Sequence, residues 1–152
     1  MIKKILPSTT QRVQNNTNKN VNLQIRDQTL CSLKKYVDSS DNVLSEKIKN
    51  LNAEWDIERI LEATAASAVL ISSILGLKKS QNIWFLVPGT IGFFLLQHAL
   101  QGWCPPLPVL RKLGARTGLE IENEKVVLKM LRGDFIHKTS DVAEMLAIAE
   151  KQ

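Results

Sequence analysis

At 152 residues and a net charge of +5, the chain has room for one compact domain, or for a membrane hairpin with soluble flanks. Its basic residues are scattered among Asp and Glu, with no aromatic-plus-basic platform, which argues against nucleic-acid binding. Cys31 and Cys104 are the only cysteines and there are two histidines; this is too little, at the wrong spacing, for a zinc site or a disulfide scaffold, so no metal or cofactor is expected.

In chain order, Met1–Pro7 starts basic, but its apolar stretch is too short for a signal peptide, so the first membrane helix is expected to act as the insertion signal. Residues 1–18 read as a flexible tail, because the amide-rich run around Asn15, Asn16 and Asn18 buries too little apolar surface to order itself. Residues 19–58 read as an amphipathic helical segment. Its first helix, from about Lys19 to Val37, carries Val21, Ile25, Leu30, Leu33 and Val37. Asp38-Ser-Ser-Asp-Asn42 interrupts it with turn and cap chemistry. A second helix from near Asp41 carries Leu44, Ile48, Leu51 and Trp55, and is expected to run on, straight or kinked, through Arg59 into the first long apolar run. Such a pair packs on itself or lies on a membrane surface.

Residues 59–104 read as a transmembrane hairpin, with spans at about 61–77 and 83–100 joined by the polar hinge Lys78–Asn82. The first span is about 26 Å of helix at 1.5 Å per residue, slightly under the hydrocarbon core. Ala68, Ser72 and Gly76 repeat at every fourth position, a smooth stripe suited to close helix packing. The second span contains Pro88, Gly89 and Gly92, which a membrane helix tolerates when neighbouring groups satisfy the freed backbone. Trp55, Trp84 and Trp103 all fall near expected membrane–water boundaries, where amphipathic rings sit. The fold expected is therefore all-α: a two-span hairpin with amphipathic cytoplasmic helices on both sides, partnered by the lipid bilayer. Lys47, Lys49, Arg59, Arg111, Lys112 and Arg116 flank the spans on one side against Lys78 and Lys79 in the hinge, which puts both termini in the cytoplasm.

The remainder, 105–152, reads as a cytoplasmic helical tail. The prolines of Cys104-Pro-Pro-Leu-Pro108 argue against helix there, and Leu110–Gly114 is a short turn. Thr117-Gly-Leu-Glu120 fits a capping box opening a helix with Ile121, Val127, Leu128 and Leu131, which Gly133 ends. A last helix is expected over about Ser140–Glu150.

Two constellations bear chemistry. Glu62 and His98 each lie eighteen positions from Ser80, so an antiparallel hairpin brings them to one depth. They suit an interhelix polar pair that fixes register, or a proton relay in a low-dielectric setting. Cys104, at the membrane edge and followed by prolines, is the candidate thiol, activated if Arg111 or Lys112 folds back on it. No phosphate loop, dinucleotide fingerprint, zinc-protease or nucleophile-elbow motif is present.

The element Gly102-Trp-Cys-Pro105, closing a short helical hairpin, resembles the YgaP-type transmembrane domain family. These are small bacterial inner-membrane proteins, sometimes appended to rhodanese sulfurtransferase domains. The resemblance runs from about Trp55 to Pro108, continuing through Gln97–Gly114 and the helix end Leu131-Arg-Gly-Asp-Phe135. It implies a bacterial inner-membrane location, a homodimer or membrane-protein partner, and a loose link to sulfur metabolism. Neither cysteine begins the glycine- and arginine-containing loop of a rhodanese. Two functions are compatible with these residues: a non-enzymatic hairpin anchor or interaction module, or a thiol-dependent sulfur or redox relay through Cys104.

Overall fold

The computed structural model describes residues 6–79, 84 and 86–135. The hinge residues 80–82, the expected start of the second span and the expected helix over 140–150 lie outside them. Every regular element among the described residues is helical: α1 (Arg12–Asn15), α2 (Lys19–Lys34), α3 (Asp41–Ala53), α4 (Ile57–Lys79), α5 (Leu86–Gln101), α6 (Leu107–Lys112) and α7 (Gly118–Arg132). The chain divides into two compact units, one of residues 1–23 and 55–117, the other of 24–54 and 118–152.

In the second unit α3 packs on α7. The stripe Leu44, Ile48 and Leu51 is buried with Ile121 and Leu128, and Leu33 and Tyr36 lie at its edge. Of the apolar positions expected on the first helix, Ile25 is buried and Leu30 is exposed, while α2 ends at Lys34 and leaves Val37 exposed in the turn beyond it. The buried Glu124 carboxylate accepts a hydrogen bond from Ser32 Oγ at 3.1 Å and stands 3.7 Å from Lys47 Nζ. Gly133, at φ 84°, ends α7 in the left-handed conformation that a Cβ disfavours.

In the first unit α4 packs on α5. Helices α3 and α4 are separate: Glu54 is extended, and Asp56 Oδ1 accepts the Arg59 N–H at 2.9 Å, starting α4 afresh. Among the described residues, one stretch, within Asp41–Lys78, is long and apolar enough to cross a membrane, and only 17% of its apolar window is buried. The α5 residues described number 16, about 24 Å of helix. Beyond α5, Leu107 begins a helix where the prolines argue against one. Pro106 is its cap and Pro108 lies in its first turn, where no intrahelical N–H bond is required.

Within the segment expected as a flexible tail, α1 packs into the first unit. Val13 of α1 is 2% exposed and belongs to a core with Ile57, Leu61, Cys104 and Leu107. Polar residues hold α1 alongside apolar ones. Asn16 Nδ2 donates to Arg12 O at 2.8 Å and to Gln101 O at 2.7 Å, so a local amide satisfies a carbonyl left over at the end of α5. Asn22 Nδ2 likewise donates to Gln14 O at 2.9 Å.

Candidate functional site

The candidate residues of the first unit collect where α4 begins and α5 ends. Glu58, in the first turn of α4, is clamped between two nitrogen groups from distant sequence. Arg12 Nη2 donates to Glu58 Oε1 at 3.0 Å, and His98 Nε2 lies 2.9 Å from Glu58 Oε2. The hydrogen bond with His98 is the main influence holding the Glu58 carboxyl below its ordinary range; burial opposes it, and the charges of His98 and Arg12 reinforce it. Glu58 stands three residues ahead of the expected span. His98 itself is buried, and its Nδ1 has no hydrogen-bond partner.

The carboxylate at His98 is therefore Glu58, not Glu62, which is exposed one turn further along α4. Counting equal distances from Ser80 assumes a symmetric hinge; an offset of about one helical turn exchanges one glutamate for the other.

Gly102 closes this corner. Its N–H donates to His98 O at 2.7 Å and its φ is 79°. A Cβ placed on it would stand 2.5 Å from the carbonyl carbon and 2.6 Å from the carbonyl oxygen of Arg12. The glycine thus both turns the chain out of α5 and lets α1 cross at backbone distance.

Cys104 lies in the core beneath, 4% exposed. Burial raises its thiol pKa above the ordinary value, and the charge of Glu58 adds to the rise, against a hydrogen bond with the Leu107 backbone. The activation expected from Arg111 is absent. The Arg111 guanidinium is buried and donates to Ala115 O and to Asn22 Oδ1, each at 2.9 Å. A buried thiol with a raised pKa is poor in thiolate, so the geometry gives no support to a redox or sulfur relay.

The small-residue stripe divides. Ser72 and Gly76 are buried, whereas Ala68 is exposed and lines an open apolar groove of about 390 Å³ with Leu61, Ala65, Ile91, Phe94 and Pro105. Of the tryptophans, Trp55 is half exposed with the Arg59 guanidinium 4.7 Å above its ring. Trp103 packs against the Val13–Leu107 core, and Trp84 is half-buried. Among the described residues no group of His, Cys, Asp and Glu is arranged to hold a metal ion.

Comparison with curated proteins and with solved structures gives no match. A family model does match, over residues 56–117, and its description is "Inner membrane protein YgaP-like, transmembrane domain". The matched segment includes Glu58, His98 and the whole Gly102–Pro105 element; the resemblance drawn at Leu131–Phe135 falls outside it. This match over residues 56–117 and the apolar stretch within Asp41–Lys78 both point to a membrane protein.

Proposed function

We propose that this chain is an integral inner-membrane protein in which α4 and α5 form a two-span hairpin, with both termini in the cytoplasm. Amphipathic helices flank the hairpin on that side, and the whole serves as an anchor and interaction module without an enzymatic reaction of its own. The observation that carries this reading is the orientation of the side chains. Leu70, Ile71, Ile74 and Leu77 on α4, and Leu86, Phe93, Leu96 and Leu100 on α5, are exposed, while Ser72 and His98 are buried. Large apolar side chains outside, with Ser72 and His98 inside, follow the order a lipid solvent favours.

The groove beside Ala65 and Ala68 suits a further helix, from a second copy or a membrane-protein partner, because small side chains let backbones approach and lipid offers little apolar driving force of its own. Alkaline carbonate extraction tests the anchoring: the protein should stay in the membrane pellet, and release into the supernatant would refute two spans. A reporter after Gln152 should register cytoplasm, while a cysteine at Ser80 should react with an impermeant reagent from outside. The reverse pattern would overturn the orientation.

A further inference from the structure

Helix α6 presents the wrong face for water. Leu107 and Arg111, four apart, are 0% and 1% exposed, whereas Val109 and Leu113 (the helical-conformation residue that caps α6), also four apart, are 59% and 78% exposed. Residues at that spacing share one helix face. The inward face thus holds a guanidinium, bonded to Asn22 and Ala115, and the outward face holds two large aliphatic side chains with exposed Lys112 between them in sequence. A water-facing helix ordinarily sorts these residues the other way.

The chain leaves little freedom over where this face lies. Leu107 follows the last residue of α5 by six positions, across the Gly102 turn and two prolines. Trp55, half exposed beneath Arg59, precedes α4 at the same end of the pair, because Glu58 and His98 bring the start of α4 to the end of α5. An environment that is apolar on one side and rich in phosphate on the other accommodates an exposed aliphatic pair, a neighbouring lysine and a half-exposed indole together.

We propose that the Val109–Leu113 face of α6 seats in phospholipid at the boundary between headgroups and acyl chains, with Lys112 among the phosphates. The inference rests on the hairpin reading, since it places α6 beside the end of a span. It adds a membrane contact outside both spans, one that fixes the depth and tilt of the hairpin from its cytoplasmic end.

The test uses the full-length protein carrying Cys31→Ser and Cys104→Ala, reconstituted in phosphatidylcholine vesicles. Single cysteines are introduced by Val109→Cys, Leu113→Cys, Leu70→Cys and Lys49→Cys, all at exposed positions, and each is labelled with an environment-sensitive fluorophore. Lipids bearing a nitroxide at a shallow or a deep acyl position supply the quencher. Labels at 109 and 113 should lose emission chiefly to the shallow nitroxide, the label at 70 chiefly to the deep one, and the label at 49 to neither. Labels at 109 and 113 that escape both quenchers while 70 is quenched would overturn the proposal and leave the hairpin standing. A blue-shifted but unquenched label at 113 would assign that face to a protein partner or a second copy, also against the proposal. If the label at 70 escapes quenching, the hairpin reading falls and this inference falls with it.

Discussion

Replacing Gly102 with alanine is expected to release the N-terminal segment from its unit. The left-handed conformation at φ 79° costs a residue with a Cβ about 1–2 kcal/mol. The new methyl would also stand 2.5–2.7 Å from backbone and Cβ atoms of Arg12, none of which moves by a rotamer change. The relief available is for α1 to lift away, which forfeits the burial of Val13, about 1.5–3 kcal/mol, and the Asn16 bond to Gln101, about 1 kcal/mol. Docking should weaken by about 3 kcal/mol, roughly a hundredfold in the open population. Trypsin cleavage after Arg12, in detergent or vesicles, reads that population directly. Gly114→Ala is the matched control: its φ is 90°, but nothing lies within 4 Å of the new Cβ, so it carries the backbone strain without the collision. Cleavage at Arg12 that stays at the wild-type rate in Gly102→Ala, or rises equally in Gly114→Ala, would refute the close-approach reasoning.

The same geometry sets other outcomes. Glu58→Gln and His98→Ala should each destabilise the unit by about 1–3 kcal/mol, with the double mutant well short of additive, whereas Glu62→Gln should add independently to His98→Ala; thermal unfolding in detergent measures all of these. Because the folded Glu58 pKa lies below its ordinary value of about 4.5, its contribution is present above that pH and is lost as pH falls through the depressed folded value. The exchange protection factor of the Asn15 amide, which donates to Gln11 O at 2.9 Å, should fall over that acid window, and an unchanged protection factor would show that Glu58 does not hold α1. Toward a thiol reagent at neutral pH, exposed Cys31 should react quickly and buried Cys104 slowly, with the difference vanishing in denaturant; equal rates in the native protein would contradict the buried placement. Ser72→Leu and Gly76→Leu should overpack buried positions and cost about 1–3 kcal/mol, while Ala68→Leu should spare stability and reduce association on a detergent sedimentation assay.

The features legible in the sequence were local or strongly periodic. The spacing of Leu44, Ile48 and Leu51 found the buried face of α3, and Gly133 found the end of α7, since both signals lie within a few residues of what they predict. The Cys-Pro element likewise pointed to the family whose model matches residues 56–117. The site was less legible because its partners are far apart: Arg12 and Glu58 are separated by 46 positions, and His98 and Glu58 by 40. Choosing between Glu58 and Glu62 needs the register to within one helical turn, which hydropathy does not carry. Val13 stands alone in a polar run, so no period marks it as core. Gly102 was legible as part of a motif, yet its close approach to Arg12 is a tertiary fact.

The corner at Gly102 also dictates an order of events during synthesis. Arg12 and Asn16 leave the ribosome early, but Asn16 bonds to Gln101, 85 positions later. The amino-terminal segment must therefore stay on the side where the end of α5 arrives, and it has no docking place until both helices have been made and brought together. Closing so long a loop is slow compared with forming either helix. Protection of Arg12 from protease is consequently a late event, and a nascent chain truncated before Gly102 should leave that arginine open to cleavage.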